Sequence, residues 1–384
     1  MLAVVYLLLL LSAWRGVRRL TRLESIPPIR PEAAPMVSII VPVRNEAPTI
    51  RRTLELLLAL DYPRYEVIVV DGQSTDGTAQ ILDELAGGRL RSVHLDALPP
   101  RWIGKSYQLH VGAQQASGEW ILFTDAGVHF APDALSRTMA YALDHQLDHL
   151  TVCPNLVMRG LAERVFLSGF FFVFLLFTRP WSARNPRSRG TIGVGPFNFI
   201  RRAAYLRAGG HEPISLQASD DVALGVHLKR QGCRQDCLYN DGSLRLRWYE
   251  GAAGLLHGLE KNTFWATRFN PLLALAAVVG LLLLTIPPYL GLFVHRIGWL
   301  RFHPWSPWVC VLSVLLLYRV FQPVTKISWV YGLLHPLAIL CWCVTLLNSM
   351  WVILRRGGVL WRDRFYPLDL LKSQRAIWLR DLFF

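Results

Sequence analysis

The chain has 384 residues, 52% hydrophobic and 18% charged, with a formal net charge of +14. That balance is too apolar for a purely soluble protein. The basic excess is mostly arginine, which fits arginines facing anionic lipid beside membrane segments better than nucleic-acid binding, so no nucleic-acid partner is expected. The six cysteines are scattered, without a CxxC pair, which argues against a zinc site and for free thiols in a reducing compartment.

Met1–Trp14 carries no charge and is followed by Arg15, Arg18, Arg19 and Arg22. It reads as a signal-peptide core or a short membrane anchor over residues 1–22. The arginines favour the anchor and hold the domain after it in the cytoplasm. Residues 15–36 read as a linker rich in Pro and Arg.

Val37–Val43 is a β-branched run ended by the polar turn Arg44-Asn45-Glu46. Thr49–Leu60 places apolar residues at helical spacing, and Val67–Val70 is a second buried strand delivering Asp71 at its carboxyl end. This β-α-β unit puts polar groups where open α/β sheets bind ligands. Ala79–Leu85 predicts a helix, Ser92–Leu95 a strand, Ser106–Ser117 a helix, and Trp120–Thr124 a strand ending on Asp125. The alternation predicts an α/β domain with a mostly parallel sheet.

Val165–Thr178 is an aromatic apolar run of 14 residues, short for a span and predicted as an interfacial or buried helix. Asn270–Val294 and Ile327–Leu354 are uncharged and long enough to cross a bilayer; Trp305–Val320 is shorter and interrupted by Arg319. The basic tail 355–384, with Arg355, Arg356, Arg362 and Arg364, also asks for the cytoplasm. Three crossings after a cytoplasmic domain would place it outside, so one apolar segment is re-entrant or lies in the interface, or 271–294 crosses differently.

Several polar residues could carry chemistry. Asp71 could accept hydrogen bonds from a nucleobase or ribose, or serve its DG turn. Asp76 reads as a helix cap. Lys105, after Gly104 at a helix entrance, suits a phosphate. Asp125 could hold a hard cation; His129 could add a nitrogen or be an ordinary loop histidine. Asp220 and Asp221 open an amphipathic helix, either as dipole complements or as an acid pair in which like charge raises one pKa toward that of a base. Arg247 and Lys261 could neutralise an anion, while Trp248 and Lys261 also read as membrane-flanking residues.

The order of VPVRNE, DGQSTDGT, GK, TDAG, GGH, SDDVALG, RWY and GLEKN over residues 37–262 resembles family 2 glycosyltransferases of the membrane-bound type. The resemblance implies a GT-A-like fold, Rossmann-like, with N-terminal and C-terminal transmembrane helices. It implies an inverting enzyme that moves a sugar from a nucleotide-diphosphate donor, UDP-linked, to a hydroxyl of a lipid acceptor at a bacterial-type inner membrane. On it, Pro42, Asn45, Glu46, Asp71, Lys105 and Asp125 bind the donor, and Asp221 is the base. Gly195, His211, Asp220, Arg247, Trp248 and Lys261 line the acceptor and diphosphate side. Asp125, with His129 as a further candidate, would hold Mg2+ or Mn2+. The chain departs from the family at Gly72 and Gly127, each standing where a second acid is usual, and Leu244 breaks the QxxRW motif of polysaccharide synthases. A processive synthase and a non-catalytic nucleotide- or lipid-binding relative remain as alternatives.

Overall fold

The computed structural model describes residues 2–294, 296–297, 300–301 and 303–374. The end of the basic tail, 375–384, lies outside the described residues. Eight strands form the central sheet, in the spatial order Thr21–Arg22, Gln235–Tyr239, His149–Cys153, Asn198–Arg201, Trp120–Phe123, Val37–Val43, Tyr65–Asp71 and Leu90–His94. All neighbours are parallel except Asn198–Arg201, which runs against both of its partners. This is a GT-A-like α/β architecture. The supposed linker contributes the edge strand Thr21–Arg22, because Thr21 finds a free edge beside Leu238.

The central strands are buried on both faces, as the unbroken β-branched runs require. Ile39, Val41, Val67 and Val69 belong to one core, while Ile40, Ile68 and Val70 point into the other. The predicted helix over 49–60 is Ala47–Leu58, burying Ile50, Thr53, Leu54 and Leu57 at its i, i+3, i+4, i+7 positions. Each such Ile or Leu contributes about 1.5–3 kcal/mol. The other predicted elements appear as Thr78–Leu85, Leu90–His94, Gly104–Gln115 and Trp120–Phe123.

The second core runs from the sheet into the apolar helices. Among the described residues four segments are long and apolar enough to cross a membrane: Gly160–Ser182, Pro271–Leu290, Ser306–Thr325 and Trp329–Arg356; Leu2–Val17 is shorter. The 165–178 run is the core of a 19-residue helix, Gly160–Thr178, longer than its apolar stretch alone implied. Its start recruits Glu163, whose carboxylate is buried accepting from the Gly251 amide at 2.8 Å. Both ends of this helix lead into strands of the α/β domain, Asn155–Leu156 before and Asn198–Arg201 after.

The last apolar stretch also begins and ends on contacts with the α/β domain and the helix that follows it. Lys326 pairs with Asp241, and Arg356 pairs with Glu260 at 3.0 Å. Between them the chain runs back along Ser306–Thr325, where the Gly332 carbonyl accepts from Tyr289 at 2.7 Å, before His335–Arg356 returns. The basic tail then forms the hairpin Gly358–Trp361/Arg364–Pro367, which lies against the polar turns of the sheet.

Candidate functional site

The site lies at the carboxyl ends of the parallel strands. Asp71 ends one strand, almost fully buried. Its Oδ1 accepts from the Ser74 amide at 3.1 Å and its Oδ2 faces His94 Nδ1 at 3.3 Å. Asn45 Oδ1 accepts from the Thr75 amide at 2.8 Å, which ties the two polar turns together. Asp76 caps as expected, but it serves two helices: its Oδ2 accepts from Ala47 N at 3.1 Å and its Oδ1 from Thr78 N at 3.1 Å. Pro42 is held in its strand opposite Val70.

Lys105, in the first turn of Gly104–Gln115, reaches the next strand end. Its Nζ lies 2.7 Å from Asp125 Oδ1 and 3.5 Å from Asp220 Oδ1. Asp221 is fixed by two backbone donors, Gly195 N to Oδ2 at 2.7 Å and Val222 N to Oδ1 at 2.8 Å. Gly195 is where the groups converge. A Cβ there would sit 2.7 Å from Asp125 Oδ2, 3.3 Å from Asp221 Oδ2 and 3.4 Å from Lys105 Nζ. Together with Phe123, Thr124, Asn198 and His211, these residues line one pocket.

Burial pushes the Asp220 carboxyl up to about 6; Lys105 opposes this and the neighbouring Asp221 and Asp125 add to it. Burial likewise raises Asp221. Burial works against a charge on Lys105, but Asp125, Asp220 and Asp221 outweigh it and hold the ammonium charged. His211 is driven down to about 3 by burial, with His110 and Lys105 adding to the effect. It is a neutral imidazole whose Nδ1 meets Tyr205 Oη at 2.7 Å, while Nε2 is buried without a partner. A neutral ring nitrogen and an acid pair beside an ammonium can orient and deprotonate a hydroxyl.

Lys261 is directed to the same site. Burial lowers it to about 7, Lys105 adds, and Asp220 and Asp125 oppose. Its Nζ rests 3.8 Å from the centre of the Trp361 ring. The remaining residues stand apart. Arg247 turns to Glu250 at 2.8 Å and to the buried Glu163 at 3.8 Å. Trp248 packs on Phe170 with ring centres 4.9 Å apart, on the apolar helix. His129 is exposed on a short strand beside Arg245. Glu46 bonds Arg362 of the C-terminal hairpin.

The two departures from the acid-pair pattern have separate physical settings. A Cβ on Gly72 would meet Gln108 Nε2 at 2.7 Å, and that amide is committed to the carbonyls of Val43 and Val70, the latter at 2.8 Å. Gly127 turns through φ +83°, a conformation that side chains disfavour. Among the described residues no three His, Cys, Asp or Glu gather as a metal-binding group. Asp125 is the one carboxylate at the expected metal position, and one carboxylate with substrate phosphates and water is a set that Mg2+ accepts. Sequence reasoning did not reach Gln108 or the hairpin; the only signal was the basic and aromatic run Trp361-Arg-Asp-Arg-Phe-Tyr.

Residues 38–207 match the family model described as "Glycosyl transferase family 2". The chain is 26% identical over 235 residues to 4,4'-diaponeurosporenoate glycosyltransferase of Staphylococcus haemolyticus, covering 60% of this chain and 62% of that protein, so it spans less than two thirds of that relative. With the protein of the same name from Staphylococcus aureus strain MRSA252 it is 26% identical over 345 residues, covering 87% and 88%. Its backbone is also like that of a mannosyltransferase from Pyrobaculum calidifontis solved with GDP-Man and Mn2+. That match has a TM-score of 0.51 and 22% identity and covers 88% of this chain and 99% of that one; at this identity it speaks to the fold.

Proposed function

We propose that this chain, whose residues 38–207 match the family 2 glycosyltransferase model, is a glycosyltransferase that inverts an anomeric centre, moving a sugar from a nucleotide-diphosphate donor to a hydroxyl of a lipid. The observation that carries the reading is the convergence of Asp125, Asp220, Asp221 and Lys105 around Gly195 in one pocket.

In this reading Asp71, with the Asn45 turn, receives the nucleoside of the donor, UDP-linked by the resemblance of its turn. Lys105 and Lys261 take up the negative charge that grows on the leaving diphosphate. Asp125 would hold a divalent cation, Mg2+ or Mn2+, which supplies further neutralisation of the diphosphate. Asp221 accepts the proton of the acceptor hydroxyl while its oxygen attacks the anomeric carbon from the face opposite the diphosphate, which inverts that centre. Its two backbone donors hold one orientation, so no rotamer search precedes proton transfer. His211 Nε2 is placed to orient the acceptor or sugar.

A lipid acceptor is supported by the aromatic face of Gly160–Thr178, where Phe170 joins Trp248, and by the compound named for the staphylococcal relatives. We place the chain in a bacterial inner membrane with its catalytic domain in the cytoplasm. Pro271–Leu290 and Ser306–Thr325 cross out and back, while Gly160–Thr178 and Trp329–Arg356 enter and return on the same side. This arrangement keeps the arginine-rich tail cytoplasmic.

The test is transfer from a panel of radiolabelled nucleotide sugars into the organic extract of membranes carrying the protein. Label in the extract supports a lipid acceptor. Label retained only in polymer overturns it in favour of a synthase.

A further inference from the structure

The hairpin after the last apolar helix makes contacts that neither the family domain nor the motif reading assigns. Its turn lies over the donor half of the site. Arg362 bonds the Glu46 carboxylate, and Asp363 accepts from Arg44 Nε at 2.9 Å. Trp361 lies under Lys261. Tyr366 Oη accepts from the Gly104 amide at 3.0 Å, at the start of the helix that carries Lys105. Farther on, Gln374 accepts from Leu216 N at 2.9 Å and donates to Ser215 Oγ at 3.2 Å, a few residues before Asp220 and Asp221. The segment 358–374 thus straps the two halves of the pocket together.

Arg364 has the most informative place in that strap. One end of its guanidinium donates to Gln73 Oε1, in the turn that follows Asp71. Its other nitrogen, Nη1, lies 3.2 Å from where a Cβ of Gly104 would stand. It therefore bridges the turn of Asp71 and the helix entrance of Lys105, where the proposed donor's nucleoside passes into its phosphates. Arg362 and Arg44 bond carboxylates. Arg364 hydrogen-bonds a neutral amide, its carboxylate neighbour Asp363 is itself bonded by Arg44, and a guanidinium is shaped for two parallel bonds to phosphate.

We propose that Arg364 is a ligand of the donor diphosphate and that the C-terminal hairpin is the part of the chain that closes over the bound donor. This rests on the proposed nucleotide-sugar donor. When a nucleoside diphosphate enters, Arg364 exchanges the Gln73 amide for phosphate oxygens. Tyr366 and Asp363 keep the hairpin in register on Gly104 and Arg44. The donor site is then complete only when the chain has passed through all of its apolar helices and returned.

The experiment is isothermal titration of the full-length protein in detergent with UDP, GDP, uridine and guanosine. For the nucleotide that the wild type binds, Arg364→Ala weakens binding about 10- to 100-fold, as loss of charged hydrogen bonds to phosphate requires. Binding of the matching nucleoside stays within about two-fold, Arg364→Lys falls between, and Arg355→Ala, which removes an exposed charge at the end of the helix before the hairpin, changes nothing. A wild type that binds a nucleotide and an Arg364→Ala variant that binds it equally well would overturn the inference and leave the donor reading standing. Equal losses for nucleotide and nucleoside would also overturn it, by reducing Arg364 to a structural part. A wild type that binds neither nucleotide overturns the donor reading and the inference with it.

Discussion

Gly195→Ala separates chemistry from folding at this site. The new methyl would stand 2.7 Å from Asp125 Oδ2. Carbon–oxygen contacts rest at about 3.3 Å or more, so the carboxylate must give by about 0.6 Å (3.3 less 2.7). The same methyl stands in contact with Asp221 Oδ2 at 3.3 Å and Lys105 Nζ at 3.4 Å, so the clash falls on Asp125. Gly195 has an ordinary negative φ, so alanine adds no backbone strain, and stability stays within about 1 kcal/mol of wild type. A misplacement approaching 1 Å costs about 100-fold in rate, which puts the expected loss at about 10- to 100-fold in kcat. Initial rates of sugar transfer, measured beside thermal unfolding of the same preparations, read both quantities. A variant with wild-type kcat would refute the convergence of these groups on the reacting atoms.

Gly72→Ala acts in the opposite way. The methyl evicts the Gln108 amide and leaves the buried carbonyls of Val43 and Val70 short of a donor, costing about 2–4 kcal/mol in thermal or urea unfolding. The pH profile of kcat/KM is a narrow bell. On the acid side Asp220, pushed up to about 6, and Asp221, raised by burial, take up protons and the base is lost; above about 7 Lys261 loses its charge and donor binding weakens. Lys261→Arg moves the alkaline limb upward, because guanidinium stays charged; an unmoved limb assigns that limb to another group. Chelation lowers transfer at least about ten-fold and Mg2+ or Mn2+ restores it, whereas full activity in chelator would leave Lys105 as the cation that serves the diphosphate.

The donor half of the fold was legible because Val37–Val43, Tyr65–Asp71 and the helix between them are buried by local pattern alone. The site residues Lys105, Asp125, Asp220 and Asp221 were legible through the order of their motifs, and the structure brings them together. Arg247 was not legible. Its direction depends on Glu163, which sits at the foot of an apolar helix far away in sequence and is buried there by the Gly251 amide. The start of Gly160–Thr178 was hidden for the same reason, since Glu163 and Arg164 read as the end of an apolar run. Gly72 read as a defect in an acid pair, and its cause is the Gln108 amide, 36 positions away along the sequence. The hairpin lies beyond local pattern altogether: Arg362 meets Glu46 across 316 positions. The side of the membrane on which the tail sits was ambiguous by counting apolar segments. Lys326 and Arg356 pair with Asp241 and Glu260, contacts that no count of apolar segments reveals.

The central claim, that Asp221 is the base of a sugar transfer, is tested most directly by Asp221→Asn. The amide keeps the size of the side chain, but it can accept from only one of the Gly195 and Val222 amides, which costs about 1–3 kcal/mol of stability. Loss of a general base removes about 10²- to 10⁴-fold in rate. With a labelled donor that the wild type uses, the account predicts a folded variant that still binds the nucleotide and yields a lipid-extractable product at no more than about 1% of the wild-type rate. A folded Asp221→Asn protein that transfers sugar at the wild-type rate would contradict it.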